Sequence, residues 1–352
     1  MTSRWMNFDR LRKWLVSHAR QDGAQTYRLR LLIQWAFALT CALLGVQFAR
    51  FLHAGQTHAL PLPTRPPGVE GFLPISGFMG LLDWIYQGRL NTIHPAATVL
   101  FVIFVVIALL ARKALCSWIC PVGLISESLA RIGRRLFGRN FRPPRWLDIP
   151  LRGLKYLIAG FFVIAILSET PRQLQGFITS PYNRVTDVLM YRFFAELGLI
   201  SAVVLLLLGV LSLFIVGAWC RYLCPYGALL GLVSWISPVR IRREATTCID
   251  CSACDKACMA RLPVSSKTSI ASVECTGCLD CIAVCPAPGT LTVGTRRARL
   301  SPLAFAALVL ALFLGGYAAA RIGDIWHSGI SDMEYIEHIQ HLNEAEYAHP
   351  GS

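Results

Sequence analysis

Eight of the thirteen cysteines fall between Cys248 and Cys285, in two runs of one spacing. The first is Cys248-x2-Cys251-x2-Cys254-x3-Cys258 and the second is Cys275-x2-Cys278-x2-Cys281-x3-Cys285-Pro286. That spacing suits an iron-sulfur cube, because three thiolates on one tight loop meet three iron corners and the fourth iron takes a thiolate from elsewhere. Two such runs, here separated by 16 residues, normally exchange their fourth cysteines. The exchange assigns Cys248, Cys251, Cys254 and Cys285 to one 4Fe-4S cluster, and Cys275, Cys278, Cys281 and Cys258 to a second. Two other uses of cysteine fit less well. Disulfides need an oxidising compartment, and the charge distribution places this stretch in the cytoplasm. Zinc sites pair Cys-x2-Cys units around one ion, whereas each run here has three cysteines in steps of three and a fourth after four.

The stretch resembles a bacterial two-cluster ferredoxin. It departs from that pattern at Met259, which stands where a proline usually follows the fourth cysteine of the first run.

The rest of the chain is built for lipid. Hydrophobic residues make up 55% of it and charged residues only 15%, which is not the balance of a soluble domain. Five stretches between charges approach the length needed to cross about 30 Å of hydrocarbon: 31–49, 95–111, 153–168, 197–220 and 300–320. The third is short and requires Lys155 to snorkel at its edge. The formal charge of +14 raises the question of nucleic acid, but its distribution answers against it. Of 34 Lys and Arg, seven precede the first span, ten lie in residues 112–155 and ten in residues 221–299. This is the positive-inside pattern of a bacterial inner-membrane protein with a cytoplasmic amino terminus and, after five spans, a periplasmic carboxyl terminus. No cleavable signal peptide is read at the start, where basic residues precede an amphipathic stretch.

In chain order, residues 1–30 alternate apolar and basic side chains (Trp5, Phe8, Leu11, Trp14 and Leu15 against Arg4, Arg12 and Lys13), as in a helix lying on the inner leaflet. Residues 31–239 form a four-helix membrane domain. Within it, His94-Pro95 opens the second span, with His94 a candidate contact for a quinol. Residues 71–84 are apolar but too short to span, and Ser180–Arg184 reads as a turn. The second span ends at Ala114-Leu-Cys116-Ser-Trp-Ile-Cys120-Pro121-Val-Gly123. The fourth ends at Ala218-Trp-Cys220-Arg-Tyr-Leu-Cys224-Pro225-Tyr-Gly227, the same motif 104 residues later. An amphipathic helix follows the first copy, with Leu124, Ile125, Leu129, Ile132 and Leu136 against four arginines. Residues 240–299 form the ferredoxin domain, 300–320 the fifth span, and 321–352 an acidic tail. Its histidines (His327, His338, His341 and His349) are loosely spaced, which favours a partner-docking tail over a metal site.

With two Cys-x3-Cys-Pro motifs at cytoplasmic span ends and a two-cluster ferredoxin behind them, the chain resembles the NapH/NosR type of membrane polyferredoxin. The resemblance covers roughly residues 30–295. It implies electron transfer between the quinone pool and redox partners, or electron supply to a metalloenzyme during assembly and activity. It departs from NosR in lacking room for an added flavin-carrying outer domain, and from typical NapH in adding a fifth span and an outer tail. The expected architecture is a mainly α membrane protein of about five transmembrane helices with a small α+β two-cluster ferredoxin domain on the cytoplasmic side. The expected function is an electron relay, possessing no catalytic triad, that contacts membrane lipid, a quinone and a redox partner protein on the periplasmic side, and no nucleic acid. Alternatives are a factor that reduces a metal such as copper for a partner enzyme, and a non-catalytic sensor or scaffold. Cys116, Cys120, Cys220 and Cys224 are expected to form one joint site for a further metal, a cluster or two dithiols. Within each pair, four residues is about one helical turn, and a cysteine at a helix start tends toward the thiolate.

Overall fold

The structure, a computed structural model, describes residues 8–57, 61–342 and 344–347, with side-chain detail from residue 23 onward. Most of the amphipathic pattern expected over residues 1–30 therefore lies outside the described side chains, as does His349.

Helix dominates the chain. α1 runs Phe8–Thr57, α2 Pro74–Gln87 and α3 Pro95–Ala111. A single turn, α4 (Leu115–Trp118), precedes α5 (Pro121–Phe137) and α6 (Arg145–Leu167). Short helices α7 (Pro171–Ile178), α8 (Pro181–Arg184) and α9 (Thr186–Ala195) lead to α10 (Leu199–Phe214), a π-helical turn at Trp219–Leu223, and α11 (Pro225–Ser234). Many of these helices begin with proline at the first position, where the missing N–H costs nothing and the fixed φ is already helical. Residues 180–184, expected as a turn, close into α8 because the Ser180 hydroxyl accepts from the Asn183 N–H as a cap. The neighbouring α7 starts in a full capping box between Thr170 and Gln173.

Among the described residues three helices are long and apolar enough to cross a membrane: Gly23–Thr57 within α1, α6, and α14 (Pro302–Ile322). A fourth arises if α9 and α10, bent by 76° at their break, count as one span; α3 is apolar but only 17 residues long. On α1 the side chains of Leu32, Trp35, Leu39, Leu43 and Val46 are all exposed. They recur every three or four residues, the spacing of one helical face, which is how a lipid-facing stripe reads. One expectation about α6 is corrected. Lys155 does not snorkel: the helix starts as early as Arg145, Lys155 is fully buried, and its ammonium lies 5.1 Å from the centre of the Tyr156 ring.

The chain divides into two compact units. The first gathers Met1–Phe37, Val106–Ile125 and Gly227–Ala311. It contains an antiparallel sheet in the order β2-β1-β3-β4, made of β1 (Arg240–Arg243), β2 (Ser269–Ile270), β3 (Leu291–Gly294) and β4 (Arg299–Leu300). Ile241 pairs with Val293 on one side and Ile270 on the other. All three are buried, while the flanking Arg240 and Arg242 point to the opposite face, as period-two alternation requires. Between the strands sit two short helices, α12 (Ala253–Ala257) and α13 (Asp280–Ala283).

The second unit gathers Ala38–Val105, Ser126–Tyr226 and Leu312–Ser352. Its core joins Phe48, Phe51 and Leu52 of α1 to Val185 and Val188, and to the tail through Tyr335, Ile336 and Ile339 of α15 (Asp332–Gln340). The tail is thus packed against its own chain. Beside this core lies a buried charge network. Arg65 pairs with Asp187 at 2.9 Å and Glu70 at 3.3 Å, and the Tyr335 hydroxyl also donates to Asp187. His94 meets the Asn183 carbonyl at 2.6 Å through Nε2 and Glu70 at 3.3 Å through Nδ1. Nδ1, though without a hydrogen bond, faces the carboxylate, a placement that favours the imidazolium. Burial works against that cation, but the Glu70 carboxylate outweighs it and raises the pKa above the ordinary value. Two cations and two carboxylates then balance in a site closed to water.

Breaking that balance has a stated cost. Asp187→Ala strands Arg65 and Tyr335 and should lower stability by about 3–5 kcal/mol, read as a fall in the thermal midpoint of the detergent-solubilised protein. Because the His94 pKa is raised on folding, its contribution is complete below the unfolded value and is lost as pH rises through the folded one. The thermal midpoint should accordingly decline above neutrality in the parent protein, and decline less in His94→Gln.

Candidate metal centre

The two cysteine runs fold into the same loop. In each, the second residue after the first cysteine and the second after that take left-handed backbone angles: Asp250 and Ser252 in one, Gly277 and Leu279 in the other. Three of these four carry a side chain, and such a conformation costs a non-glycine residue roughly 1–2 kcal/mol. It persists where surroundings over-determine it, which happens most often at ligand sites. Each loop then enters a short helix, α12 or α13, carrying the third cysteine in its first turn.

Cys248, Cys251, Cys254 and Cys285 together line one cavity, floored by Pro286 and Leu291. Cys275, Cys278, Cys281 and Cys258 lie close enough to act on one another electrostatically. Among the described residues no three His, Cys, Asp or Glu side chains converge as ligands of a single ion would; the first quartet surrounds a space instead. All thirteen cysteines are described, and no disulfide forms. Burial pushes the Cys254 thiol up to about 11, with Asp255 adding to the effect, and holds Cys278 and Cys281 well above the ordinary range. Thiols so placed become thiolates only against a compensating positive charge, which iron supplies. The donor set therefore fits 4Fe-4S clusters.

The second loop is gripped from outside by the first Cys-x3-Cys-Pro motif. Ser117 Oγ donates to the Thr276 carbonyl at 2.7 Å, and the buried Trp118 indole N–H donates to the Gly277 carbonyl at 3.0 Å, its ring packed on Phe305. Just before them Arg112 reaches the Ser234 carbonyl at 2.9 Å and the Ser272 carbonyl. On the far side of the loop, Arg30 of α1 pairs with Asp280 at 3.1 Å. Gly23 packs so closely there that a β-carbon would stand 1.9 Å from the Ala283 carbonyl oxygen.

The sequence repeat is also a backbone repeat. The Cys120 N–H bonds to the Leu115 carbonyl at 2.9 Å and the Cys224 N–H to the Trp219 carbonyl at 3.0 Å, both spanning five residues. Such π-type turns interrupt the helix and recur at functional sites. Pro121 and Pro225 then begin α5 and α11, with Cys224 extended as a residue before proline must be. The first two of the three positions between the cysteines do equivalent work in both copies. Where Ser117 and Trp118 hold the cluster loop, Arg221 and Tyr222 hold Asp148 of α6: the guanidinium by two 2.8 Å bonds and the phenol by one of 2.7 Å. These anchors were not legible beforehand, since a serine, a tryptophan, an arginine and a tyrosine show no shared chemistry. Gly123 has its own constraint: a β-carbon there would stand 2.2 Å from the Cys116 carbonyl oxygen.

The other expected candidates are dispersed. His94 belongs to the buried charge network. His327 meets Arg321, His338 meets Tyr347 and Arg184, and His341 meets Glu344. Cys116 and Cys120 lie in the first unit, Cys220 and Cys224 in the second.

Comparison with known proteins agrees with the motifs. The family described as a 4Fe-4S binding domain matches residues 93–140 and again 197–244, once over each Cys-x3-Cys-Pro motif, and a 4Fe-4S dicluster domain matches residues 240–286. Over 278 residues the chain is 45% identical to the "Putative electron transport protein YccM" of Escherichia coli (strain K12), covering 77% of this chain and 78% of that one. It is 28% identical to the ferredoxin-type protein NapH of the same organism, over 76% of this chain and 88% of NapH. It is 25% identical to the regulatory protein NosR of Pseudomonas aeruginosa, over 60% of this chain but only 29% of NosR. No solved structure matches.

The grip on the second loop can be tested at its buried indole hydrogen bond. Trp118→Phe keeps the ring against Phe305 but leaves the Gly277 carbonyl without its donor, a loss of about 1–3 kcal/mol. Visible absorbance should bleach faster in chelator than in the parent protein, while Tyr222→Phe should bleach at the parent rate. Equal rates in all three would remove Trp118 from the loop's support.

Proposed function

Because the chain belongs to the NapH/NosR-type family of membrane polyferredoxins, we propose that it relays electrons between the quinone pool or a redox partner and a respiratory or metalloenzyme partner. The observation that carries this reading is the pair of identical cysteine loops, each with four thiols gathered at it, in a chain whose helices are apolar enough for lipid. A 4Fe-4S cluster, when bound, supplies one-electron storage without making or breaking a bond in a substrate. The chain's own residues do the rest. Cys248, Cys251, Cys254 and Cys285 hold one cluster and Cys275, Cys278, Cys281 and Cys258 the other, with Ser117 and Trp118 fixing the second loop to α4. We read the ferredoxin-like segment and the amino terminus as cytoplasmic, the tail as periplasmic and the membrane as the bacterial inner membrane, on the distribution of arginine and lysine. The five-span count, the quinol and the role of Cys116, Cys120, Cys220 and Cys224 belong to the same proposal.

Anaerobically purified protein should carry about eight irons, four for each cluster. Cys254→Ser and Cys281→Ser should each remove one cluster and leave the other detectable by electron paramagnetic resonance. Stoichiometric zinc with iron near zero would sink the reading. In membrane vesicles a quinol should reduce the clusters, and their staying oxidised would take the quinone pool out of it.

Cys116→Ser and Cys220→Ser should slow that reduction alike, with the double variant little worse than either, as for groups that act as a unit. Parent rates in the double variant would make these cysteines packing residues. An alkaline-phosphatase fusion at Ser352 should be active and one at Gly294 inactive; the reverse would invert the topology.

A further inference from the structure

The two loops differ in the charge that surrounds them. Around the first, carboxylates approach the ligand sulfurs, Asp250 Oδ1 standing 3.5 Å from Cys248 Sγ and Asp255 Oδ1 3.8 Å from Cys254 Sγ, and Arg243, which lines the same cavity, faces Asp250 at 4.0 Å. Cys251 of this loop is exposed to solvent. Around the second, three buried cations gather. Arg30 is matched by Asp280 at 3.1 Å, and Lys113 lies 3.9 Å from Glu274. Arg112 is not matched. It is 1% exposed, and among the described residues no carboxylate pairs with it. Its guanidinium donates to two carbonyls, of Ser234 and Ser272, and its backbone N–H to Ser237 Oγ at 3.3 Å. Its Nε is buried without a hydrogen-bond partner, and the acidic group that acts on it is the Cys275 thiol.

A buried cation with no counter-ion costs several kcal/mol, and the chain holds this one in place with a left-handed backbone at Arg112 itself, φ 63°. What balances it is the negative charge that a cluster on four thiolates carries, which grows by one electron on reduction. Burial of the second loop disfavours the more charged, reduced form, while the cation favours it. Arg112 meets this loop directly, its guanidinium on the Ser272 carbonyl and its β-carbon 3.7 Å from where a β-carbon at Gly277 would stand, and a cation in contact with the loop favours the reduced form.

We propose that Arg112 holds the cluster on Cys275, Cys278, Cys281 and Cys258 at a higher reduction potential than the cluster on Cys248, Cys251, Cys254 and Cys285, so that a single shared electron rests on the loop gripped by the Cys116 turn. This rests on the two-cluster reading above. The balance is one electron: the first cluster is oxidised, the second is reduced, and no bond or proton moves. Dithionite, a one-electron reductant, supplies that electron in the test.

The experiment is a potentiometric titration of the full-length, anaerobically purified protein followed by electron paramagnetic resonance, on the parent, Arg112→Met and Arg112→Lys. Cys254→Ser and Cys281→Ser identify which signal belongs to which loop. In the parent the second cluster should be reduced first. In Arg112→Met its midpoint should fall so that, at a fixed potential, its reduced-to-oxidised ratio drops at least tenfold, about 59 mV for one electron. The first cluster should stay in place, and Arg112→Lys, which keeps the charge, should recover most of the shift. The proposal is overturned if the first cluster is reduced first in the parent, or if Arg112→Met loads both clusters with midpoints unmoved. Should Arg112→Met not load the second cluster, the order in the parent and the position of Arg112→Lys still decide it. Absence of any 4Fe-4S signal in the parent overturns the two-cluster reading itself.

Discussion

The contact on which most of the first unit depends is the clasp between residues 112–118 and the backbone of the second cysteine loop. A loop that must aim three sulfurs inward leaves its own carbonyls pointing out, and those carbonyls need donors once water is excluded. Ser117, Trp118 and Arg112 supply them to Thr276, Gly277 and Ser272. The donors come from Arg112, just past α3, and from α4, so the position of the loop is tied to that short segment. From the other side, Arg30 and Gly23 of α1 close on α13 through an ion pair and a near-contact with backbone. The first loop is held differently: Asp255 accepts from the Ser265 N–H at 2.8 Å and from its hydroxyl at 2.6 Å, while Cys251 is exposed and Asp250, 83% exposed in its side chain, reaches Arg243 only at 4.0 Å.

Much of this was legible in the sequence, for a physical reason. Cysteine spacing limits ligation, because a loop of fixed length can reach only certain irons, so two quartets could be proposed without coordinates. The same holds for helices bounded by charge, where expected limits such as 95–111 reappear as α3. What was not legible depends on partners far away in the chain. Lys155 looked like an edge residue because its neighbours are apolar, and only the folded unit shows it buried. Ser180–Arg184 looked like a turn because proline and asparagine favour turns, yet a serine cap converts the same residues into α8. The bend between α9 and α10 falls at residues 196–198, where the expected fourth span begins, so α9 lies outside that span.

The buried charge network of the second unit is a different kind of object. Arg65, Glu70, His94, Asp187 and Tyr335 are drawn from four separated stretches, and none stands out in its own neighbourhood. Together they balance two cations against two carboxylates and give each a short partner. A network of this kind is specific more than it is stabilising, since an apolar replacement of the same shape could be as stable. Its effect is to fix which segments meet. The tail helix α15 enters the core only with the Tyr335 hydroxyl on Asp187 and the Arg65 guanidinium 4.0 Å from the centre of its ring.

The repeated motif shows why Cys-x3-Cys is a spacing and not just a pair. A helical turn puts residues i and i+4 on one side and residues i+1 and i+2 elsewhere, so the sulfurs and the anchors cannot compete for the same space. In both copies the five-residue backbone bond at the second cysteine stops the helix, and proline starts the next one in a new direction. The anchors are free to differ because they only have to hold: Ser117 and Trp118 donate to backbone carbonyls, whereas Arg221 and Tyr222 donate to the Asp148 carboxylate. The cysteines, the proline and the small residues are the same in each copy, since they set geometry. A chain that repeats the backbone turn and varies the anchors has kept the local geometry of each cysteine pair while changing what each pair is fastened to.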